Sequence, residues 1–91
     1  MLEWDRNNLR KIRAHGIERE EAEQALANNP ILMYEQDADG EVRFLYYSET
    51  YAGRLVGIVV TQCEDDARVV TTYDLGARQK RNYFAKRAKG E

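Results

Sequence analysis

Arg68-Val69-Val70-Thr71-Thr72-Tyr73, then Asp74-Leu75-Gly76, then Ala77 to Lys89: this run decides how the 91-residue chain folds. Its first six residues are β-branched or aromatic almost throughout, which suits a pleated, half-buried surface and resists a helix, so a strand is expected. Beyond Gly76 the period changes. Ala77, Phe84 and Ala88 fall on one helical face, and Arg78, Asn82, Lys86 and Lys89 on the other, so a C-terminal helix is expected to turn Phe84 inward. The same run polarises the charge. Arg68 to Glu91 holds seven Lys/Arg against two Asp/Glu, a net of +5, while Met1 to Ala67 holds seven against fourteen, a net of −7. A basic element on an acidic body points either to an anionic partner or to an internal charge match, for example with an acidic helix of the same fold.

A strand that feeds a helix needs a sheet to join. Leu55-Val56-Gly57-Ile58-Val59-Val60-Thr61-Gln62 has almost no polar alternation and reads as a central strand covered on both faces, with helices on one of them. Upstream, Ile31-Leu32-Met33-Tyr34-Glu35 and Glu41 to Ser48 flank the turn signal Asp37-Ala38-Asp39-Gly40 and make a hairpin, with Val42, Phe44 and Tyr46 on one face. Thr50-Tyr51-Ala52-Gly53 and Glu64-Asp65-Asp66-Ala67 supply the other turns. Connections this short imply an antiparallel meander, because parallel pairing needs long crossovers.

Two helices precede the sheet. Asp5 can cap a first helix beginning at Arg6, with Asn8 at its third position and Trp4 and Leu9 placed as a hydrophobic staple. His15-Gly16 closes it, since glycine takes the left-handed conformation of a last turn. The acids of Glu18-Arg19-Glu20-Glu21 favour a second helix start, and Ala22, Ala25, Leu26 and Asn29 form its inner face before Pro30 stops it. Leu2 to Trp4 could add a short edge strand. The expectation is one α+β domain over residues 1–91: two N-terminal helices, a four-stranded antiparallel sheet and a C-terminal helix.

Composition narrows the class. At 43% apolar and 33% charged with one Pro, the chain suits a globular domain rather than disorder or a solenoid. The longest apolar run, Leu55 to Val60, is too short to span a bilayer, and Met1 to Asp5 lacks the blocks of a signal peptide, so no membrane association and a cytoplasmic location are expected. Cys63 is the single cysteine and His15 the single histidine. They allow no internal disulfide and no metal cluster at familiar spacing, and Cys63 is expected to pack as a small hydrophobe.

Trp4-Asp5, Asn8, His15-Gly16-Ile17 with the acidic helix after it, Glu41-Val42-Arg43, Gly53-Arg54-Leu55, Val69 to Tyr73, and Arg81 with Tyr83 occur in an order and spacing that resembles the BrnT family of small bacterial toxins, a branch of the RelE-like ribonuclease superfamily. The resemblance extends over nearly the whole chain. It implies a RelE-like fold, metal-independent cleavage of messenger RNA with no cofactor, and a ribbon-helix-helix antitoxin of the BrnA type as partner. Two places depart from the family pattern. Where many members carry an Arg-rich run at the end of the last strand and a Glu beside the Arg of the last helix, this chain has Tyr73-Asp74 and Gln79-Lys80. A second reading therefore stands beside the first, a family member without catalysis that binds protein or RNA.

Metal-free RNA cleavage needs a proton acceptor for the 2′-hydroxyl, cations for the scissile phosphate and a proton donor for the leaving 5′-oxygen. On the toxin reading His15, Arg43, Tyr73 and Arg81 are the candidate catalytic residues, and Arg54, Arg78 and Lys86 the candidate phosphate ligands. His15 alone has an ordinary pKa near neutrality. Guanidinium groups match phosphate oxygens, and Tyr73 could stack on a base or donate a phenolic proton. Plainer roles compete at each position: a helix C-terminus for His15, exposed solvated charge for the arginines, core packing for Tyr73, capping and stapling for Trp4-Asp5. A second copy could also pair along the apolar edge Ile31 to Glu35, giving a homodimer.

Overall fold

Local signals start and stop the first helix as read. In the computed structural model, which describes residues 2–38, 40–63 and 66–89, helix α1 (Arg6–Ala14) opens where the Asp5 carboxylate accepts the Asn8 N–H at 2.8 Å. It closes through paired bonds from Gly16 N to Arg13 O and from Ile17 N to Ile12 O, with Gly16 at φ +74°. This is the six-to-one and five-to-two pattern that also brings two apolar side chains together at a helix end. Ile12 and Ile17 are both fully buried. Helix α2 (Arg19–Ala27) follows, its start held by the Glu21 carboxylate accepting the Glu18 N–H at 2.9 Å. Ala22 and Ala25 are fully buried, and their small size brings α2 close to the sheet.

The sheet has five strands, β1 (Leu2–Glu3), β2 (Ile31–Ala38), β3 (Glu41–Glu49), β4 (Leu55–Cys63) and β5 (Asp66–Asp74), in the order β1-β5-β4-β3-β2. Strands β2 to β5 form the expected antiparallel meander, and β1 is the expected short edge strand, parallel to β5. Helix α3 (Ala77–Ala88) ends the fold. The turn residues Asp39, Glu64 and Asp65 and the Cys63 side chain lie outside the described residues. Among the described residues no helix is long and apolar enough to cross a membrane.

The helices divide between the two faces of the sheet. Under α1 and α2, Ile12, Ile17 and Ala25 pack on Val56, Ile58, Val60 and Val69, with Trp4, Leu9, Leu26 and Tyr46 at the margin. Ser48 Oγ donates to Ala25 O at 2.7 Å, and Asn28 Nδ2 donates to Glu49 O at 2.9 Å, pinning the end of α2 to β3. On the other face a smaller cluster joins Ile31, Tyr47, Leu75 and Tyr83, flanked by Met33, Leu45, Leu55 and Tyr73. Strand β4 feeds both clusters, which explains its lack of polar alternation.

Helix α3 is rotated from the expected setting. Phe84 is 54% exposed, whereas Tyr83 is fully buried. The chain enters α3 directly after Leu75, which is buried and bonded through its N–H to Leu55 O at 3.1 Å. That anchor turns Gln79, Tyr83 and Arg87, spaced four apart, toward the sheet. The Arg87 guanidinium lies 5.0 Å from the Tyr83 ring centroid and donates to Asn29 O at 3.1 Å, fastening the far end of α3.

Gly57 sits between two tyrosines, in register with Tyr47 on β3 and Tyr73 on β5. The Tyr73 ring lies across it so closely that a Cβ would stand 2.7 Å from Cζ and 2.9 Å from the hydroxyl oxygen. Gly57→Ala should therefore destabilise the protein by about 1–3 kcal/mol, the usual range for overpacking. Thermal unfolding checks this, and adding Tyr73→Ser to Gly57→Ala should recover part of the loss.

Candidate nucleic-acid interface

Helices α1 and α2 pack on one face of the sheet, and α3 packs on the other against Ile31, Tyr47 and Leu75. Away from α3 that second face is open at β2 and β3, where Tyr34, Gln36 and Arg43 are exposed. Antiparallel register sets Gln36 opposite Arg43, Tyr34 opposite Leu45, and Leu45 opposite Val59, so these side chains share one surface. They line a depression of about 260 Å³ together with Phe44. Met33, next to Tyr34 in sequence, lines a second of about 340 Å³ together with Asn82, Ala85 and Lys86 of α3 and Lys89 at its C-terminal cap. Arg78, Lys80, Arg81, Lys86 and Lys89 are all exposed on α3, so the positive charge read in the sequence faces solvent. Helix α2, the acidic one, lies on the opposite face.

The expected site residues separate into three places. Arg43 stands on the open face, exposed, with its guanidinium 3.8 Å from Glu41. Tyr73 shares that face but sits by α3. It is offset from Arg43 by four residues along β3 and two strands across, roughly 14 Å by about 10 Å. Burial, then the neighbouring Tyr47, raises the Tyr73 pKa, which keeps its phenol protonated and able to donate. Arg78, Arg81 and Lys86 belong to the exposed surface of α3.

His15 and Arg54 occupy the third place, a corner where α1, α2, β4 and β5 meet. Arg54 Nε and Nη2 donate to the two carboxylate oxygens of Asp74 at 2.7 and 2.8 Å. Its Nη1 donates to Gly16 O at 3.0 Å and to Glu21 at 3.1 and 3.2 Å. A phosphate at Arg54 would have to displace one of these carboxylates. Asp74 is held below the usual carboxylate range by the Arg54 hydrogen bonds, with the charges of Lys80 and His15 adding to the effect. Glu21 is lowered first by the Glu18 backbone N–H and then by Arg54, and the Arg54 pKa rises through Asp74. Both departures from the family pattern thus have structural work: Asp74 anchors Arg54, and Gln79 Oε1 accepts the Gly76 N–H at 2.8 Å at the start of α3.

Tyr34 and Gln36 escaped the sequence reading. Their signal was parity: in the hairpin, Tyr34 and Gln36 alternate on the same side as Arg43 and Leu45. Among the described residues no three His, Cys, Asp or Glu side chains converge as metal ligands.

Removing Arg54 should loosen the corner. Arg54→Ala should lower stability by about 1–2 kcal/mol, because a bidentate pair and a second partner are lost together. Asp74 and Glu21 have folded pKa values below their unfolded ones, so the stability they contribute is complete above the unfolded carboxylate pKa and is lost as pH falls through the folded values. Denaturant unfolding across acid pH should accordingly show a weaker pH dependence in Asp74→Asn than in the parent protein. Gln79→Glu should keep the helix start and leave the melting temperature within a degree or two, whereas Gln79→Ala should lower stability by roughly 0.5–1 kcal/mol.

No curated protein matches the chain. Residues 4–79 match the family described as the ribonuclease toxin BrnT of type II toxin-antitoxin systems, a range that runs from Trp4 through the first turn of α3. The family implies an antitoxin partner. By sequence order, by the two-helix, meander and helix architecture, and by a match over most of its length, the chain belongs to the BrnT family of ribonuclease toxins.

Proposed function

We propose that this toxin is a metal-independent endoribonuclease acting on messenger RNA in the cytoplasm, and that RNA lies across the open sheet face against the basic flank of α3. One observation carries the reading: Arg78, Lys80, Arg81 and Lys86 are exposed on α3, the helix that packs on the same sheet face as the exposed Tyr34, Gln36 and Arg43. Single-stranded RNA needs such a combination of phosphate-binding cations and a surface for bases. Arg43, Arg78, Arg81 and Lys86 hold phosphates. In the cleavage step the 2′-oxygen attacks the adjacent phosphorus and loses its proton, the bond to the 5′-oxygen breaks, and that oxygen takes up a proton, leaving a 2′,3′-cyclic phosphate and a 5′-hydroxyl. Tyr73, kept protonated, supplies the second proton and Arg81 steadies the phosphoryl charge, while the first proton passes to water, because His15 stands apart from Tyr73 and Arg43 at the Arg54 corner.

The antitoxin of such a protein is a ribbon-helix-helix protein whose contact with the toxin covers the α3 cations. Neutralising those charges would block RNA and complement the +5 segment in one contact.

A second reading, binding without cleavage, is favoured by the separation of His15 from Arg43 and Tyr73. One assay decides between them. Purified protein incubated with labelled RNA in excess EDTA should yield fragments ending in cyclic phosphate, and the double variant Lys86→Glu with Lys89→Glu should bind RNA at least tenfold more weakly at low salt and with a flatter salt dependence. Salt-sensitive binding without fragments would establish the non-catalytic reading. Absence of both binding and fragments would remove RNA as the target.

A further inference from the structure

The depression on the open face has a composition that phosphate binding alone does not require. Its floor is apolar, from Leu45 and Val59, and its walls carry three different chemistries: the phenol ring of Tyr34, the amide of Gln36 and the guanidinium of Arg43. Tyr34 is 58% exposed, one of the largest apolar surfaces the fold leaves in water. At about 260 Å³ the space falls just under the ~300 Å³ at which pockets for drug-sized ligands begin, and suits one planar ring system.

Charge around the depression also fits an anionic chain. Glu35 and Asp37 alternate with Tyr34 and Gln36 along β2 and do not line the depression. Glu41 does share its side and approaches Arg43 at 3.8 Å. Both of those side chains are about half exposed, and an ion pair of that length in solvent contributes little, so Arg43 is free to turn to a phosphate. Lys86 and Lys89 border the second depression.

We infer that this depression is a nucleobase subsite for single-stranded RNA: the Tyr34 ring stacks on one base, the Gln36 amide reads its edge, and Arg43 holds the neighbouring phosphate. The inference rests on the RNA-binding reading above and adds sequence preference to it. An amide side chain presents a donor and an acceptor side by side, the pattern that matches the amino group and ring nitrogen on one edge of adenine. Adenine is therefore the favoured occupant. An exposed aromatic ring accepts any base face, so stacking contributes affinity and Gln36 contributes choice.

The test uses fluorescent 2′-O-methyl octamers of adenine and of uracil, which bind but cannot be cut because the attacking hydroxyl is blocked. Anisotropy at low salt is read for the parent protein and for Tyr34→Ala, Tyr34→Phe and Gln36→Ala, with thermal unfolding and sedimentation in parallel. The parent should prefer the adenine octamer. Tyr34→Ala should weaken that binding about tenfold at unchanged melting temperature, the scale on which single base–aromatic stacks act, and Tyr34→Phe should restore it. Gln36→Ala should erase the preference for adenine while leaving the uracil octamer nearly unaffected. If the parent binds both octamers and Tyr34→Ala binds them equally well, the subsite is overturned and the RNA-binding reading survives. A parent that binds neither octamer overturns both. A Tyr34→Ala protein that changes from dimer to monomer with RNA binding intact assigns the surface to contact between copies and overturns the subsite.

Discussion

One guanidinium holds the architecture together. Arg54 stands at the start of β4, yet its donors reach the α1–α2 corner through Gly16 O, the first turn of α2 through Glu21, and the last residue of β5 through Asp74. Only a planar fork with donors on three sides can satisfy these directions together, and a lysine ammonium could not. The bond fixes the end of β5, and α3 begins three residues later. The position of the basic helix, and hence how much of the sheet stays open, follows from a contact made on the other side of the strand.

The two faces of the sheet are built to different standards. Beneath α1 and α2 the core is continuous, and the polar groups of Ser48, Asn28 and Asp5 are each bonded to backbone. Beneath α3 the cluster is smaller, and among the described residues the Tyr83 hydroxyl and Arg87 Nε are buried there without a hydrogen-bond partner, as is Thr72 Oγ1 beside Ile58 on the α1–α2 face. Such unmet groups oppose the burial that holds the helix. Exposed cations are carried by both outer elements, Arg6, Arg10, Lys11 and Arg13 on α1 and Arg78, Lys80, Arg81 and Lys86 on α3.

Much of this was legible because the signals were local. Asp5 and Gly16 mark the ends of α1 through their own chemistry, and the short turns between Ile31 and Tyr73 leave little choice but a meander. The rotation of α3 was not legible, because it depends on Leu75 bonding to Leu55, twenty residues away, rather than on the helix's own apolar pattern. Arg54 read as a phosphate ligand because its partners are distant in sequence, Asp74 by 20 residues and Glu21 by 33. Tyr34 and Gln36 became visible only when the pairing of β2 with β3 put them beside Arg43. Local chemistry gave the frame, and non-local pairing chose which side chains share a surface.

The parallel pairing of β1 with β5 bears on how the protein is made. Leu2 lies beside Ala67 and Glu3 beside Arg68, so the first of the described strands joins the last in sequence order. Both helices and the β2–β3–β4 meander can form from neighbours in sequence, while the edge must wait until most of the chain has been delivered. The basic helix emerges later still. The edge strand β1 and the basic helix α3 thus both depend on β5, and neither docks until that strand has joined the meander.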